Sequence, residues 1–344
     1  SRHLIEVRVA PGKGLGVFAK VDIPRGTRIL AEAAVLKIKT YPYAQEIIRV
    51  FETLGPSAQD SYLNLFSYTN PEGRCEFAEN MDCDWHEIDT FQRTVLSIYT
   101  ANAFMQCVFL LGSRFNHSCV PNTQSLYNAA LDMQTMHTIR DVAAGEELTI
   151  MYTKTCNMNR RQRGGQLEKW GFLCECPACR DTEEALKGDE KRTVMFGLDQ
   201  ALAFNTRMGH WPLVRKQAKK LAALQEAEDL IGRDLGLSCR DVARAYVKLG
   251  DAKSALIWAE KEVKIAVYCT GTDHPDYISS LEETAALRNA AENNTPIPEV
   301  VVQSYYQTNV DNEEGNEDGE DNADQGNDDE NENDGEQAEY YIVI

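Results

Sequence analysis

Three cysteines in the middle of the chain have the spacing of a metal-binding cluster. Cys174, Cys176 and Cys179 lie within six residues of sequence, and thiolates grouped this closely can wrap one tetrahedral zinc ion. A closed structural site needs a fourth ligand, and the spacing leaves that ligand open among Cys119, Cys156 and several histidines. The sequence therefore predicts a metal site with three assigned ligands and an unassigned fourth.

Three further segments combine residue types that could bind a ligand. They read KGLG at residues 13–16, FNHSCVPN at 115–122 and GEELTIMY at 145–152. Glycines allow a tight turn and a close approach of the backbone to a bound molecule, whereas polar residues around a proline also suit a plain turn held by its own side chains. Each segment taken alone is weak evidence, and aromatic residues such as Trp170 and Phe172 are equally typical of a core.

Short strands and turns are predicted to position these segments. Residues 1–40 and 112–180 contain β-like runs, such as 135–139 and 148–152, separated by turns that carry Gly or Pro. Between these two regions, residues 42–111 repeat apolar side chains at helical spacing around 47–54 and 91–99. The polar stretch 70–83 predicts a loop within this helical region.

The rest of the chain is predicted to be helical and then disordered. Residues 181–293 have only helical patterns, and the segment 242–259 matches one helix-turn-helix unit of the tetratricopeptide (TPR) kind. One clear copy indicates a TPR-like helical domain rather than a regular repeat array. Residues 311–339 contain fifteen Asp and Glu and no Lys or Arg, so they cannot bury enough apolar surface to fold. The apolar residues 340–344 are either a chance feature or a short docking motif.

The net charge of −19 belongs mainly to that tail, since leaving out its fifteen acidic residues reduces the charge to −4. A nearly balanced body argues against direct nucleic-acid binding, which needs a basic face. The ten cysteines are sparse outside one cluster, unlike those of a secreted disulfide scaffold. The apolar stretches are too short to span a bilayer. We therefore expect a soluble, cytoplasmic or nuclear protein that does not contact membranes.

In their order along the chain, the three segments and the cysteine cluster resemble the SET-domain protein lysine methyltransferases. The likeness is strongest to the SMYD-like branch, and within it to the fungal type that lacks the MYND zinc finger, because no such finger stands between Ala34 and Asn102. It covers residues 1–180 and, more loosely, the helical part to about 290. The resemblance implies an enzyme that transfers a methyl group from S-adenosyl-L-methionine to the neutral amine of a protein lysine and releases S-adenosyl-L-homocysteine.

The resemblance also assigns roles to residues. Tyr152 would be the catalytic tyrosine, and it would line the substrate channel with Phe104 and Trp170. The cofactor would be bound by the glycine turn and the two longer motifs, with Phe172 stacking on adenine; the implied set is Lys13, Gly14, Leu15, Gly16, Asn102, Asn116, His117, Tyr152 and Phe172. Cys119 stands where SMYD relatives supply the fourth zinc ligand, so one structural zinc is implied at Cys119, Cys174, Cys176 and Cys179.

The fold implied is α+β, a β-rich SET fold of small sheets with a knot-like core. The implied boundaries are 1–153 for the SET domain with a helical SET-I insert at 41–111, 154–180 for a zinc-binding post-SET segment, 181–300 for an α-helical TPR-like C-terminal domain, and 301–344 for a disordered acidic tail.

The partner implied is a protein substrate that carries a lysine, such as a basic segment or a histone tail, and the protein is expected to be a monomer. Met151 stands where many relatives carry a small polar residue, so the number of methyl groups transferred stays open. The alternative function is a catalytically weak SET and TPR-like protein-interaction module. Intact Asn116, His117 and Tyr152 favour the enzyme.

Overall fold

Short strands dominate the first half of the chain and long helices the second. The computed structural model describes residues 3–68, 85–154 and 156–305, all within one unit that spans Ser1–Tyr305. The strands of these ranges are β1 (Ile5–Ala10), β2 (Gly14–Ala19), β3 (Arg28–Glu32), β4 (Leu36–Lys37), β5 (Ala103–Phe104), β6 (Cys107–Val108), β7 (Asn116–His117), β8 (Thr123–Asn128), β9 (Met133–Thr138) and β10 (Glu147–Ile150). They form three small sheets with the orders β1-β2-β10-β7, β3-β9-β8 and β4-β6-β5.

The first sheet brings two of the sequence motifs together. Strand β10 pairs antiparallel with β2 on one side and parallel with β7 on the other, where Thr149 is opposite Asn116 and Ile150 is opposite His117. The run 148–152 was expected to be a strand to its end, but β10 stops at Ile150. Tyr152 therefore leaves the sheet next to β7.

The apolar faces of the first two sheets share one core. The buried side chains of this cluster come from both sheets and from the segment before β7; they include Val17, Ile29, Leu30, Phe115, Met136, Leu148 and Ile150. Phe104 and Tyr152 pack against its edge while remaining partly accessible. The core thus supports these two aromatic residues from behind.

The region predicted to be helical, 41–111, is helical only in part. Its described helices are α1 (Ala44–Glu52), α2 (Pro56–Leu63) and α3 (Thr90–Asn102), whereas strands β5 and β6 occupy its end. The apolar positions that predicted α1 and α3 are largely buried in one cluster, and the Asp89 carboxylate begins α3 by accepting a hydrogen bond from the Phe91 amide at 2.8 Å. The predicted loop 70–83 lies outside the described residues.

The helical prediction for residues 181–293 is confirmed. After α4 (Arg160–Leu167) come α5 (Glu183–Arg207), α6 (Trp211–Ala227), α7 (Arg233–Lys248), α8 (Ala252–Thr270), α9 (Pro275–Asn293) and α10 (Glu299–Ser304), and successive helices from α5 to α9 pack against one another. The turn between α7 and α8 uses Gly250 at φ +74°, and Asp251 then caps α8 by accepting from the Ser254 amide at 3.0 Å.

The last helix extends the helical region a little beyond the predicted boundary at residue 300. Val301 and Tyr305 are both buried in the core of the C-terminal helices, and their burial holds α10 in place. The acidic run 311–339 and the apolar residues 340–344 lie outside the described part of the chain. No helix within the described ranges is both long and apolar enough to cross a membrane.

Candidate active site and metal centre

Four cysteine sulfurs converge at the junction of the sheets and the helices. The Sγ atom of Cys119 lies 3.6 Å from that of Cys179 and 3.9 Å from that of Cys174, and the sulfurs of these three residues and Cys176 all lie within 4.8 Å of one another. A tetrahedral zinc with Zn–S bonds of about 2.3 Å would separate its sulfurs by about 3.8 Å. The cluster could therefore hold one such ion. Cys156, the other cysteine that spacing allowed, packs in the core of the C-terminal helices instead.

The four thiols share their protons unequally. Hydrogen bonds with Cys119 lower the pKa of Cys176 and Cys179, whereas the mutual hydrogen bonds raise the pKa of Cys119 and, on balance, of Cys174. The thiolate is the form of cysteine that binds a metal. Cys176 and Cys179 are therefore the thiols of the cluster that lose a proton most easily.

The turn that carries Cys119 is fixed to strand β10 by its last residue. The Oδ1 atom of Asn122 accepts a hydrogen bond from the Thr149 amide at 2.8 Å, and its Nδ2 atom donates to the Glu147 carbonyl at 2.8 Å. Asn122 is itself buried, so both bonds are shielded from water and hold the turn firmly. This explains how a polar segment with a proline reaches a defined position.

His117 connects the cysteine cluster with the start of the Tyr152 segment. Its Nδ1 atom accepts from the Tyr152 backbone amide at 3.1 Å. Because an amide can only donate, the neutral ring carries its proton on Nε2, which lies 3.2 Å from the Cys119 sulfur. Burial lowers the pKa of His117 to about 4, so the ring is neutral at physiological pH. Both ring nitrogens have partners within the protein, which leaves backbone atoms and ring faces for the predicted cofactor contact.

Tyr152 is surrounded by aromatic rings. Its ring centroid lies 5.1 Å from that of Trp170, 5.3 Å from His117 and 6.3 Å from Phe172. The Tyr152 hydroxyl donates to the Phe115 carbonyl at 2.9 Å, and burial raises the pKa of this hydroxyl. The structure thus brings the predicted catalytic tyrosine together with Trp170 and Phe172.

The wall beside Tyr152 is held from the insert side. The Trp170 Nε1 atom donates to the Ala101 carbonyl at 3.0 Å, which anchors the ring to the end of α3. Phe104, two residues beyond α3, packs against the same apolar cluster as Tyr152 and lies 5.8 Å from the Phe109 ring. Trp170 thus contacts the Tyr152 ring and Phe104 packs on the same core as Tyr152, while their place in one substrate channel stays a prediction.

The glycine turn is joined to the Asn116 motif by a carboxylate. Glu147 accepts from the Lys13 amine at 2.8 Å through Oε2 and from Asn116 Nδ2 at 2.7 Å through Oε1. Asn116 also donates to the Leu15 carbonyl at 3.1 Å. A Cβ on Gly16 would lie only 2.8 Å from Glu147 Oε1 and 2.9 Å from Asn116 Nδ2, so a larger residue here would displace this pair. These predicted cofactor residues form one connected group.

Asn102 lies apart from that group. It ends α3, is buried, and its Nδ2 atom donates to the carbonyls of Phe66 and Ile98, each at 2.7 Å. These bonds close the helix and hold the segment after α2 against it. The structure therefore gives Asn102 a role in the insert, and its part in cofactor binding stays a prediction.

Three residues of this region could not be assigned a role from the sequence. Glu147 and Asn122 lie inside the motifs but were given no function there. Arg163 lies outside every motif, and its guanidinium donates to the Cys179 sulfur at 3.4 Å. The position of Glu147 at the first residue of the motif strand was an available signal. Nothing in the sequence around Arg163 indicates that its side chain is buried.

Comparisons with known proteins relate these motifs to one protein family. A family model described as the SET domain matches residues 14–153, a span that begins at the glycine turn and ends just after Tyr152. The histone-lysine N-methyltransferase set5 of Schizosaccharomyces pombe is 31% identical over 278 residues, which cover 80% of this chain and 82% of that protein. The SET domain-containing protein L678 of Acanthamoeba polyphaga mimivirus is 26% identical over 192 residues, 48% of this chain and 74% of that protein. The human protein-lysine N-trimethyltransferase SMYD5 is 29% identical over 162 residues, 44% of this chain and 38% of that protein.

Proposed function

Because this chain belongs to the SET-domain family of protein-lysine methyltransferases, we propose that it transfers a methyl group from S-adenosyl-L-methionine to the amine of a protein lysine at Tyr152. The relatives named above are histone-lysine and protein-lysine methyltransferases. The substrate class proposed for this chain is accordingly a lysine in a basic protein segment, with a histone tail as the first candidate. The number of methyl groups transferred is left open.

The observation that carries the proposal is the orientation of the Tyr152 hydroxyl. Its hydrogen is donated to the Phe115 carbonyl, so the lone pairs of the oxygen are free to accept a hydrogen bond from a substrate amine. Because burial raises the pKa of Tyr152, the hydroxyl remains protonated and keeps this orientation. An amine that donates to this oxygen would have its own lone pair directed elsewhere, which is the alignment that an in-line displacement needs.

The aromatic surroundings favour a neutral amine nucleophile. Free lysine has a pKa of about 10.4, and a channel walled by Phe104, Tyr152 and Trp170 would lower it by desolvation. The electron-rich ring faces suit the approach of the amine in its charged form. No side chain with the strength of a general base is then required.

The residues of the proposed cofactor site fit a nucleoside with an amino-acid end. S-adenosyl-L-methionine supplies a methyl carbon made electrophilic by its positive sulfur. Gly14 adopts φ +75° with nothing within 4 Å of where a Cβ would stand, which leaves the room for a close approach to the backbone. Phe172 is 37% exposed, so one ring face is accessible for stacking on adenine.

We further propose one structural zinc at Cys119, Cys174, Cys176 and Cys179. The separations of the Cys119 sulfur from those of Cys179 and Cys174, 3.6 and 3.9 Å, are close to the tetrahedral value, and a set of four cysteines would close the site. A structural ion there would hold the segment that carries Trp170 and Phe172 next to Cys119 and its turn. Its role is therefore to position these aromatic residues rather than to take part in methyl transfer.

The remaining proposals concern architecture and location. The parallel pairing of β7 with β10 supports a knot-like SET core, and the consecutive packing of α5–α9 supports a TPR-like C-terminal domain. The domain boundaries, a monomeric state and a nuclear or cytoplasmic location are proposed on the same family grounds. We propose that the acidic tail attracts basic substrates, which predicts that deletion of residues 306–344 reduces the salt dependence of substrate binding.

The test of the function is a single-turnover assay with radiolabelled S-adenosyl-L-methionine and either histones or a mixture of lysine-rich proteins. We expect label in protein lysine, identified by mass spectrometry after digestion. Cofactor binding without any labelled lysine across such a mixture would instead support the alternative, a catalytically weak interaction module. A pull-down with the full chain and with its Tyr152→Phe variant then shows whether partner binding is independent of the site.

A further inference from the structure

Two arginine side chains are fully buried in the helices that follow the Tyr152 segment, and one of them, Arg163, contacts the cysteine cluster. Arg163 in α4 has 0% of its surface exposed and Arg192 in α5 has 1%. A guanidinium carries a fixed positive charge at any physiological pH, and burying such a charge without a compensating anion is strongly unfavourable. The structure must therefore contain negative charge that matches them.

Arg163 points directly at the cluster. Its Nη2 atom donates to the Cys179 sulfur at 3.4 Å, and its guanidinium also donates to two backbone carbonyl oxygens at 2.7 and 2.8 Å. Among the described residues, the one carboxylate within 4 Å is that of Asp189, at 3.5 Å and 27% exposed. This long, partly hydrated contact is a weak counter-ion for a fully buried charge.

Arg192 makes no ion pair within 4 Å with a carboxylate of the described ranges. Its Nη1 atom donates to the Cys156 carbonyl at 2.7 Å, and its Nη2 atom is buried with no hydrogen-bond partner. Burial lowers the pKa of Arg192 and the charge of Arg163 acts in the same direction, whereas Cys119, Glu228 and Cys156 oppose both. Cys119 also raises the pKa of Arg163, so it is the group of the cluster that acts on both arginines, while Glu228 is a further source of negative charge for Arg192.

The charge of the cluster depends on a bound metal. Without a metal, some of the four thiols keep their protons and the cluster offers less negative charge, whereas four thiolates around one divalent cation carry a net charge of −2. Two guanidinium groups balance that charge. We propose that Arg163 and Arg192 are the counter-ions of a divalent metal–tetrathiolate centre at the four cysteines, and that this pairing attaches helices α4 and α5 to it. The inference rests on the proposed zinc site and adds two positioning residues to it.

The attachment has a consequence for the C-terminal helices. Arg192 belongs to α5, the first long helix of that region, and Arg163 belongs to the helix that follows the Tyr152 segment. Loading of the metal would therefore stabilise the junction between the sheets and the helical region, in addition to the cysteine segment itself. Loss of the metal would reduce the negative charge of the cluster that faces the buried Arg163.

The experiment measures the zinc affinity of the whole 344-residue chain by competition with a chromophoric chelator at neutral pH. The variants are Arg163→Met, Arg163→Lys and Arg192→Met. Arg161→Met is the matched control, since Arg161 lies in the same helix and is exposed. We expect zinc binding to weaken about 10- to 100-fold in Arg163→Met, as for other residues that hydrogen-bond to metal ligands. We expect Arg192→Met to weaken zinc binding about tenfold, Arg163→Lys to weaken it less than Arg163→Met, and the control to leave it unchanged.

A second readout separates electrostatics from packing. If the arginines are counter-ions of the metal centre, each methionine variant should differ more from the wild type in thermal stability when zinc is bound than when a chelator has removed it. With zinc bound, the variant lacks a favourable charge pair. Without zinc, the wild type has a poorly compensated buried charge that the variant does not have. Equal losses in both states, or affinities equal to that of the control, would overturn the counter-ion assignment. A wild-type protein that retains no stoichiometric zinc would overturn the metal site itself. If Arg163→Met is insoluble, Arg163→Lys and Arg192→Met decide the same question.

Discussion

Replacement of Tyr152 by phenylalanine removes one hydroxyl and leaves the ring in place. The structure predicts two separate losses. The first is the buried hydrogen bond to the Phe115 carbonyl, at 2.9 Å, which contributes about 1 kcal/mol to the free energy of unfolding. The second is the acceptor that would align the substrate amine, and removal of one such preorganised group typically lowers kcat by about 100- to 1,000-fold.

Tyr62 supplies a matched control for the first loss. It is fully buried, and its hydroxyl donates to the Val95 carbonyl at 2.8 Å, in the helical insert rather than beside the aromatic wall. Tyr62→Phe should therefore lower the free energy of unfolding by a similar amount, about 1 kcal/mol. Its kcat should stay close to that of the wild type.

The assays are single-turnover methyl transfer, cofactor binding by calorimetry and denaturant unfolding, each on both variants and the wild type. We expect Tyr152→Phe to bind the cofactor with nearly unchanged affinity, because the hydroxyl bonds to the Phe115 carbonyl and the aromatic ring stays in place. If Tyr152→Phe turns over within about threefold of Tyr62→Phe, the hydroxyl has no role in alignment and the mechanism is wrong. A large loss in both variants would point to a general effect on folding.

Three further predictions follow from other parts of the molecule. Native mass spectrometry should find one zinc per chain, absent in Cys176→Ser; a zinc-free wild type contradicts the site. Burial lowers the pKa of His137 to about 4, below its unfolded value of about 6.5. The stability that the neutral ring contributes is therefore fully present above pH 6.5 and is lost as the pH falls towards 4. Between these pH values the free energy of unfolding of His137→Gln should fall by up to about 3 kcal/mol less than that of the wild type; an equal fall in both proteins would contradict this. A Cβ at Gly171 would lie 2.1 Å from the Tyr68 ring at φ +71°, whereas Gly250, at φ +74°, has open space. Gly171→Ala should therefore lower the free energy of unfolding by about 1 kcal/mol or more beyond Gly250→Ala, because only the first variant adds a clash to the left-handed backbone; equal denaturant midpoints would argue against it.

Much of the site could be predicted from the sequence because its motifs are local. The glycine turn, the two longer motifs and the cysteine spacing each lie within a few consecutive residues, and their order along the chain indicated the family. The choice of Cys119 as the fourth ligand needed the resemblance, since spacing also allowed Cys156. The structure separates the two because Cys119 leaves the turn towards the other sulfurs, whereas Cys156 packs among the C-terminal helices.

The sequence by itself determined the family, the residue types of the site and the alternation of a strand-rich half with a helical half, since these depend on composition and local periodicity. Only the tertiary structure decided which residues are coupled. Glu147 joins Lys13 to Asn116, and His117 joins the Tyr152 backbone to Cys119. Arg163, which nothing in the sequence distinguishes, is buried and contacts the Cys179 sulfur. Hydrogen bonds and charge compensation between distant segments depend on which surfaces pack together in the fold, and no local sequence pattern specifies that packing.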